Sequence, residues 1–212
     1  MTAIKKFVFN SIQVNTYLLY DESGECIIID AGCMGRDEEN ELTGYIEKKN
    51  LKPVRLLNTH THVDHIAGNK FVSEKYNIPL TIHKEGMQFI QSAKTYGASF
   101  NFDIGDTIDP SSYINDGDII KFGQSELKVI YTPGHANGSV CFYCEKDKFV
   151  IVGDVLFYGS IGRTDLPTGN YDLLLSSIKN KLFTLPDDTI VFTGHGGRTT
   201  IGHEKTTNPF LI

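Results

Sequence analysis

The chain has 212 residues, 40% of them hydrophobic, and a formal net charge of −6. This length accommodates one domain or at most two small ones, with a sizeable buried core. The acidic balance and the lack of a basic block argue against nucleic acid as a partner. No apolar run approaches the ~20 residues that span a bilayer, so no membrane partner is expected. The first residues lack the long apolar core of a signal peptide, and we therefore expect a cytoplasmic protein.

Three strands and a helix are predicted at the start of the chain. Residues 3–9, 14–20 and 25–30 are the predicted strands, the first two rich in Phe, Val, Tyr and Leu. Residues 26–30 are nearly all apolar, as in an interior strand. Residues 21–24 read Asp-Glu-Ser-Gly, which is typical of a hairpin turn. Residues 37–50 carry apolar side chains at helical spacing with charges opposite, which predicts an amphipathic helix.

Three of the seven histidines and one aspartate then fall within six residues, which read His60-Thr61-His62-Val63-Asp64-His65. The first two imidazoles can face one centre, and the adjacent aspartate and histidine can face a second. Imidazole and carboxylate together suit zinc, iron or manganese. A strand-like run at 53–58 and a helix-like run at 66–76 put the histidines on the loop that leaves a strand, where α/β folds place their chemistry. A solvated polar turn is the alternative, but spacing and context favour metal binding.

The next segment is less regular. Residues 79–83 form a predicted strand that ends at His83, a lone histidine better explained as structural than as a ligand. Residues 84–98 permit a helix. Residues 99–115 show no period, and two interpretations stay open for them: a flap near the site, or an inert surface excursion.

The second half of the chain again predicts strands followed by a helix. The strands are predicted at 118–122, 126–131, 139–145, 148–152 and 189–193, and the helix at 170–182. Cys141 and Cys144 form a C-x-x-C pattern inside a predicted strand, where positions three apart point to opposite faces. We therefore expect buried structural thiols rather than a redox or zinc site.

The run at residues 60–65 matches the pattern HxHxDH and so resembles the signature of the metallo-β-lactamase superfamily. That signature implies three later ligands on separate loops, a His, an Asp and a His. The chain offers His135 after Thr-Pro-Gly, Asp154 after a glycine and His195 after Thr-Gly, each behind an apolar run. Together the matching motifs span most of the chain.

The resemblance implies an α/β (α+β) fold, the four-layer αββα metallo-β-lactamase sandwich, formed by residues 1–212 as a single domain. The metal site would lie at one edge between the two sheets. It would hold two divalent metal ions as cofactors, zinc ahead of iron or manganese. By resemblance, the ligands are His60, His62 and His135 for one ion, Asp64, His65 and His195 for the other, and Asp154 as a bridge.

Two aspartates acquire further roles from the resemblance. Asp64 is predicted to be catalytic as well as a ligand, because its carboxylate would orient a metal-bridging hydroxide. Dinuclear sites lower the pKa of bound water toward ~7, which makes such a nucleophile available at neutral pH. Asp30, at the end of the third strand, resembles a buried residue that braces the ligand loop, with a simple strand-end turn as the alternative.

The substrate class follows from further motifs. Residues 153–157 and 162–165 look like the branch that holds glyoxalase II and persulfide dioxygenase. Residues 207–210 resemble short, single-domain glyoxalase II-like (hydroxyacylglutathione hydrolase-like) proteins. Asp154 points the same way, because true β-lactamases usually carry a cysteine there. The predicted reaction is hydrolysis of a thioester, S-lactoylglutathione or a similar acyl thiol, whose thiolate has a pKa near ~8.5 and leaves without strong acid help.

Two other functions stay open. The same fold could be a mononuclear non-haem iron persulfide dioxygenase, with His60, His135 and Asp154 as a two-histidine, one-carboxylate triad. A non-catalytic binding domain is the least favoured function, since a decayed site would be expected to have lost a ligand and none is missing.

The thiol part of the substrate is open as well. Glyoxalase II has a basic residue near the carboxylate-bearing thiol group at the turn that matches Arg163, so Arg163 is predicted to bind the substrate. An ion pair with Asp165 or Asp172 is the alternative. Full-length glyoxalase II also has a C-terminal helical domain that supplies basic residues to glutathione. After the last predicted ligand of this chain, only Arg198 and Lys205 are cationic.

Overall fold

Two β-sheets lie face to face in the computed structural model, which describes residues 1–212. Neighbouring strands of the first sheet are antiparallel up to its third strand and parallel beyond it. In spatial order this sheet contains β1 (Ala3–Phe9), β2 (Val14–Tyr20), β3 (Glu25–Ile29), β4 (Lys52–Leu57), β5 (Leu80–His83) and β6 (Ser112–Ile114).

The remaining strands form the second sheet and a small hairpin. In chain order they are β7 (Ile119–Phe122), β8 (Ser125–Tyr131), β9 (Val140–Cys144), β10 (Phe149–Gly153), β11 (Leu156–Phe157), β12 (Ser160–Ile161), β13 (Ile190–Thr193) and β14 (Thr199–Thr200). β11 and β12 pair only with each other, and the second sheet has the spatial order β7-β8-β9-β10-β13-β14. Its strands are antiparallel except for the parallel pair of β10 and β13.

Six α-helices accompany the sheets. They are α1 (Gly35–Lys48), α2 (Val63–Ile66), α3 (Asn69–Tyr76), α4 (Met87–Ala98), α5 (Tyr171–Asn180) and α6 (Ile201–Thr207), with single 3₁₀ turns at Lys84–Gly86 and Leu182–Thr184. No helix combines the length and the apolar character that crossing a lipid bilayer requires.

Side chains of β2 and β3 alternate between two hydrophobic clusters, which explains why both strands carry apolar side chains on both faces. Leu18 and Ile28 pack outward against α1, α3 and α4, whereas Leu19 and Ile27 pack inward against the second sheet. A third cluster lies between the second sheet and α5 and α6. The order helix, sheet, sheet, helix confirms the predicted αββα sandwich.

The cysteines behave as the sequence predicts. All four are free and buried. Cys141 belongs to the cluster under α5, and Cys144 belongs to the cluster between the sheets, so the two thiols point to opposite faces. Burial raises the pKa of Cys141 to about 12, which keeps this thiol protonated and unreactive.

Some predictions of local structure were wrong. The helix predicted at 66–76 is interrupted, and α2 begins at Val63, so Asp64 and His65 lie in a helical turn rather than in the loop. A helix of four residues is too short to give a periodic signal. The short elements β6, β11, β12, β14 and α6 were missed for the same reason.

Residues 99–115 are not an inert excursion. Phe102 and Ile104 are buried in the cluster that α1, α3 and α4 cover. Phe100 is exposed, and the segment ends as β6, which completes the first sheet at its edge. The helix permitted at 84–98 is present as the 3₁₀ turn followed by α4.

Asp21 joins the two sheets at the end remote from the predicted ligands. Its Oδ1 accepts hydrogen bonds from the Ser23 backbone N–H at 2.9 Å and the Ser23 hydroxyl at 2.5 Å. Its Oδ2 accepts from the Gln124 backbone N–H at 2.7 Å and the Ser125 hydroxyl at 2.8 Å, in the turn between β7 and β8. Burial alone would raise the pKa of Asp21, but these hydrogen bonds lower it to about 2.

Asp21→Asn should therefore lower the free energy of unfolding by about 2 kcal/mol at pH 7. The folded-state pKa lies below the unfolded value of about 3.9, so the contribution is complete above roughly pH 4 and is lost as pH falls toward about 2. Urea unfolding from pH 7 to pH 2.5, with Asp109→Asn as an exposed control, measures this. A difference in unfolding free energy between the parent and Asp21→Asn that stays the same at every pH would contradict this prediction.

Candidate metal centre

The predicted ligands follow strands that end at one edge of the sandwich. β3 and β4 are parallel neighbours in the first sheet, and β10 and β13 are parallel neighbours in the second. β8 runs in the same direction as β10, because both are antiparallel to β9. The carboxyl ends of parallel strands open at the same edge, so the loops after β4, β8, β10 and β13 can meet.

All seven predicted ligands come together at this edge. In each of three groups, the possible ligand atoms lie within 4.8 Å of one another. The groups are His60 with His62 and His135, His60 with His65 and Asp154, and Asp64 with His65 and His195. The first and third groups have the membership that the resemblance implies for the two ions.

Asp154 lies between these two groups. Its Oδ1 is 3.4 Å from His65 Nε2, and its Oδ2 is 3.7 Å from His135 Nε2 and 3.6 Å from His195 Nε2. One carboxylate therefore reaches histidines of both groups, as a bridging ligand must. In the first group, His62 Nδ1 lies 3.0 Å from His135 Nε2. Two nitrogens bound to one tetrahedral ion at ~2.1 Å would lie ~3.4 Å apart, so this spacing suits a shared ion.

Oxygen atoms fix the second ring nitrogen of four of the five histidines. Each Nδ1 faces an acceptor outside the cluster, which turns Nε2 toward the centre. The acceptors are Thr59 Oγ1 for His60 (3.2 Å), Asp30 Oδ2 for His65 (3.0 Å), the Arg163 carbonyl for His135 (2.8 Å) and the Gln13 carbonyl for His195 (3.1 Å). Sequence reasoning missed three of these partners, because a backbone carbonyl or an ordinary threonine gives no motif.

Asp30 supports the ligand loop directly. It is fully buried, and its Oδ1 accepts a hydrogen bond from the Thr59 backbone N–H at 2.7 Å. Its Oδ2 accepts from the Thr59 hydroxyl at 2.6 Å and from His65 Nδ1. The prediction that Asp30 braces the loop is confirmed. Asn10 adds a second support, since its Nδ2 donates to the Asp64 carbonyl at 3.0 Å.

Burial and neighbouring charges set the protonation of these side chains. Burial lowers the pKa of His60, and it lowers the pKa of His62 to about 3, so both are neutral, as metal ligands must be. Burial opposes charge on His65 too, but carboxylates, led by Asp64 and Asp154, raise its pKa well above the ordinary value. Burial would raise the pKa of Asp154, yet the neighbouring His65 lowers it. The carboxylates thus make a negative centre that attracts cations.

Several buried atoms of the cluster lack a hydrogen-bond partner. They include His60 Nε2, His65 Nε2 and Asp154 Oδ1. Buried polar atoms without partners are costly and rare, and these three face one another. Their nitrogen and carboxylate donors suit zinc, iron or manganese. The residues present therefore fit a pair of divalent metal ions.

Two glycines allow the loops to approach this closely. A Cβ on Gly194 would lie 2.0 Å from Asp154 Oδ1. Gly153 has φ of +53°, and a Cβ there would lie 2.3 Å from Thr59 Oγ1. The ligand loops of the two sheets can meet only because both positions lack a side chain.

A cavity of about 590 Å³ opens beside the ligands. Arg163 lines it, but the guanidinium forms two hydrogen bonds with Asp165, Nε to Oδ1 at 2.7 Å and Nη2 to Oδ2 at 2.6 Å. This ion pair is one of the two that the sequence left open. Substrate binding by Arg163 stays a prediction.

His83 lies outside the cluster. Its ring stacks on Tyr131 with 4.5 Å between ring centroids, and its Nδ1 accepts a hydrogen bond from the Glu85 backbone N–H at 3.4 Å. The prediction of a structural histidine is therefore confirmed.

The sequence pattern of the metallo-beta-lactamase superfamily matches residues 10–195. The chain belongs to this superfamily. It is 40% identical over 201 residues to the probable metallo-hydrolase YqgX of Bacillus subtilis, covering 94% of this chain and 93% of that protein. It is 36% identical over 203 residues to the hydroxyacylglutathione hydrolase GloC of Haemophilus influenzae, covering 95% of this chain and 94% of that protein. This similarity supports the glyoxalase II-like branch of the metallo-β-lactamase superfamily.

Solved structures of the superfamily share the fold. BLEG-1, described as a B3 metallo-beta-lactamase, is 36% identical with a TM-score of 0.88 and 99% coverage of both chains. TTHA1623, solved in a di-iron-bound form, is 32% identical with a TM-score of 0.89, covering 98% of this chain and 100% of that one. ETHE1 from Myxococcus xanthus is 26% identical with a TM-score of 0.80, covering 98% of this chain and 83% of that one. The chain is thus a metallo-hydrolase family member with a fold that binds divalent metals.

Asp30→Asn should weaken metal binding by about 10–100-fold, because an amide has one acceptor oxygen and cannot replace both carboxylate oxygens. Oδ1 accepts from the Thr59 backbone N–H, and Oδ2 accepts from the Thr59 hydroxyl and His65. Competition with a chromophoric zinc chelator measures the affinity, and circular dichroism measures the fold. Asp109→Asn is the matched control, since Asp109 is exposed. Unchanged zinc affinity in Asp30→Asn would mean that Asp30 shapes only the end of β3.

Proposed function

We propose that this protein is a dinuclear metal-dependent hydrolase of small-molecule thioesters. The observation that carries the proposal is the position of Asp154, whose two carboxylate oxygens face histidines of both ligand groups. A lone ion would not need a carboxylate between two histidine groups. The 36% identity to the hydroxyacylglutathione hydrolase GloC supports a thioester, S-lactoylglutathione or a similar acyl thiol, as the substrate.

Seven side chains would hold the ions. One ion would bind His60, His62 and His135, the other would bind Asp64, His65 and His195, and Asp154 would bridge them. When bound, a pair of divalent ions would acidify a bound water and polarise a carbonyl oxygen.

Asp64 is the side chain that we expect to orient the attacking water. It lines the cavity, and its Oδ2 lies 3.2 Å from His195 Nε2, which holds the carboxylate in place. Burial would raise the pKa of Asp64, but His65 and His195 lower it, so the carboxylate is ionised and can accept the water's proton in a hydrogen bond. A thiolate with a pKa near ~8.5 then leaves without a strong acid, whereas an amide nitrogen would need one.

A mononuclear iron persulfide dioxygenase is the second candidate. Residues 153–157 and 162–165 favour it, because they resemble the branch that also holds this enzyme. By resemblance its triad would be His60, His135 and Asp154. In the structure, His135 groups with His60, and its Nε2 lies 3.7 Å from Asp154 Oδ2. Such a triad leaves positions open for oxygen.

Protein purified without added metal should contain close to two zinc, iron or manganese ions per chain by elemental analysis. It should also release thiol from S-lactoylglutathione, followed with a thiol-reactive dye. Turnover of nitrocefin by the same preparation measures any β-lactamase activity for comparison. A single iron per chain, together with oxygen uptake on glutathione persulfide, would favour the dioxygenase instead.

Asp64→Ala should lower kcat by more than about 100-fold, because losing a ligand exceeds the usual cost of losing a residue that supports one. The fold should persist with a lowered melting temperature, since metal binding couples to folding. Asp64→Asn keeps the shape of the side chain and removes its charge, so it separates the effects of the two on kcat. Hydrolysis near the parent rate in either variant would falsify the dinuclear mechanism.

A further inference from the structure

Beyond the ligands, the wall of the cavity is largely apolar. It is assembled from separate segments: the turn before β2, the end of α4 with the residue that follows its C-cap, the β11–β12 hairpin and the loop before α5. The apolar and aromatic side chains that these segments contribute are Ile12, Tyr96, Phe100, Phe157, Ile161 and Leu166. Ile12 is 42% exposed and Phe100 is 47% exposed, although large apolar side chains usually avoid water. Apolar surface at the mouth of a cavity is typical of ligand contact.

The cavity offers little recognition of charge. Apart from the metal-binding residues, Arg163 is the only charged side chain in its lining. Both hydrogen bonds from the guanidinium to Asp165 are short and well formed, so the positive charge already has a counter-ion. The pair occupies two of the five guanidinium N–H donors, so a substrate carboxylate that binds Arg163 would share its charge with Asp165. Sharing the charge lowers the energy that a substrate carboxylate gains at Arg163.

We propose that this cavity selects thioesters of uncharged, apolar thiols over thioesters whose thiol part carries carboxylates. The inference rests on the proposed thioester hydrolysis. Glutathione brings two carboxylates and an ammonium group, and the lining presents one guanidinium that is already paired. A benzyl or branched alkyl thiol instead buries its surface against Phe100, Ile12 and Phe157.

Two substrates with the same acyl group test this selectivity. S-acetyl benzylthiol and S-acetylglutathione both release alkyl thiolates, so their intrinsic reactivities are close. We expect kcat/KM to be at least about 10-fold higher for the benzyl thioester, which corresponds to burial of a few apolar carbons. A higher kcat/KM for S-acetylglutathione would overturn the proposal.

Phe100→Ala should lower kcat/KM for the benzyl thioester about 5–10-fold and should lower it less for S-acetylglutathione. The side chain is half-exposed, so metal content and melting temperature should not change. Tyr113→Ala is the matched control, because Tyr113 is an aromatic residue of similar exposure, 48%, on the edge strand β6. Equal losses on both substrates in Phe100→Ala would contradict apolar selection.

Variants of the Arg163–Asp165 pair test whether Arg163 binds a substrate carboxylate or only pairs with Asp165. Asp165→Ala frees the guanidinium, so kcat/KM should rise severalfold for S-acetylglutathione and stay within about twofold for the benzyl thioester. Arg163→Ala should affect the two substrates alike. A loss in Arg163→Ala that is confined to S-acetylglutathione would mean that Arg163 anchors a carboxylate, and the proposal would be wrong.

Binding of non-hydrolysable thioethers keeps this inference distinct from the proposed function. Calorimetry should give tighter binding of benzyl ethyl thioether than of S-ethylglutathione to the metal-loaded protein. Tighter binding of benzyl ethyl thioether, without hydrolysis of any thioester, would reject the proposed reaction and support the apolar selectivity. Hydrolysis of both thioesters with a preference for S-acetylglutathione would support the proposed reaction and reject the apolar selectivity.

Discussion

The buried carboxylate of Asp30 connects the first sheet to the ligand run, and much of the metal centre is arranged around it. Its backbone has φ of +54°, a conformation that costs a non-glycine residue about 1 kcal/mol or more. That conformation turns the carboxylate back toward Thr59 and His65. Because the Thr59 hydroxyl donates to Asp30, its oxygen is free to accept from His60, so one carboxylate orients two histidines.

The centre lies on the seam between the two sheets, and neither sheet holds a complete set of ligands. The first sheet contributes the run at residues 60–65, and the loops of the second sheet contribute His135, Asp154 and His195. Hydrogen bonds across the seam keep them in register. The Tyr17 hydroxyl donates to the Thr193 carbonyl at 2.6 Å, and Val14 forms an isolated bridge with His195. The site is therefore complete only when the two sheets are packed together.

How much the sequence predicts depends on how local the signal is. His60 to His65 lie in one short run, and each later predicted ligand follows an apolar strand. Both the clustering of these seven side chains and the layered fold could therefore be inferred. Asp165 as the partner of Arg163 could be offered only as one of two choices, because sequence spacing does not fix a side-chain direction. The Gln13 carbonyl that holds His195 could not be found at all, since it depends on backbone geometry 182 residues away.

That separation along the chain has a consequence for how the protein acquires its metals. Asn15 Nδ2 donates to the Thr193 carbonyl across 178 residues, and closing so large a loop is slow and entropically costly. At ribosomal rates of about 5–20 residues per second, the segment with His60 emerges on the order of ten seconds before His195. During that interval the nascent chain exposes first four and then six of the seven predicted ligands, which do not yet form both groups. If these residues hold the metals, complete loading has to follow synthesis of β13 and of the loop that carries His195.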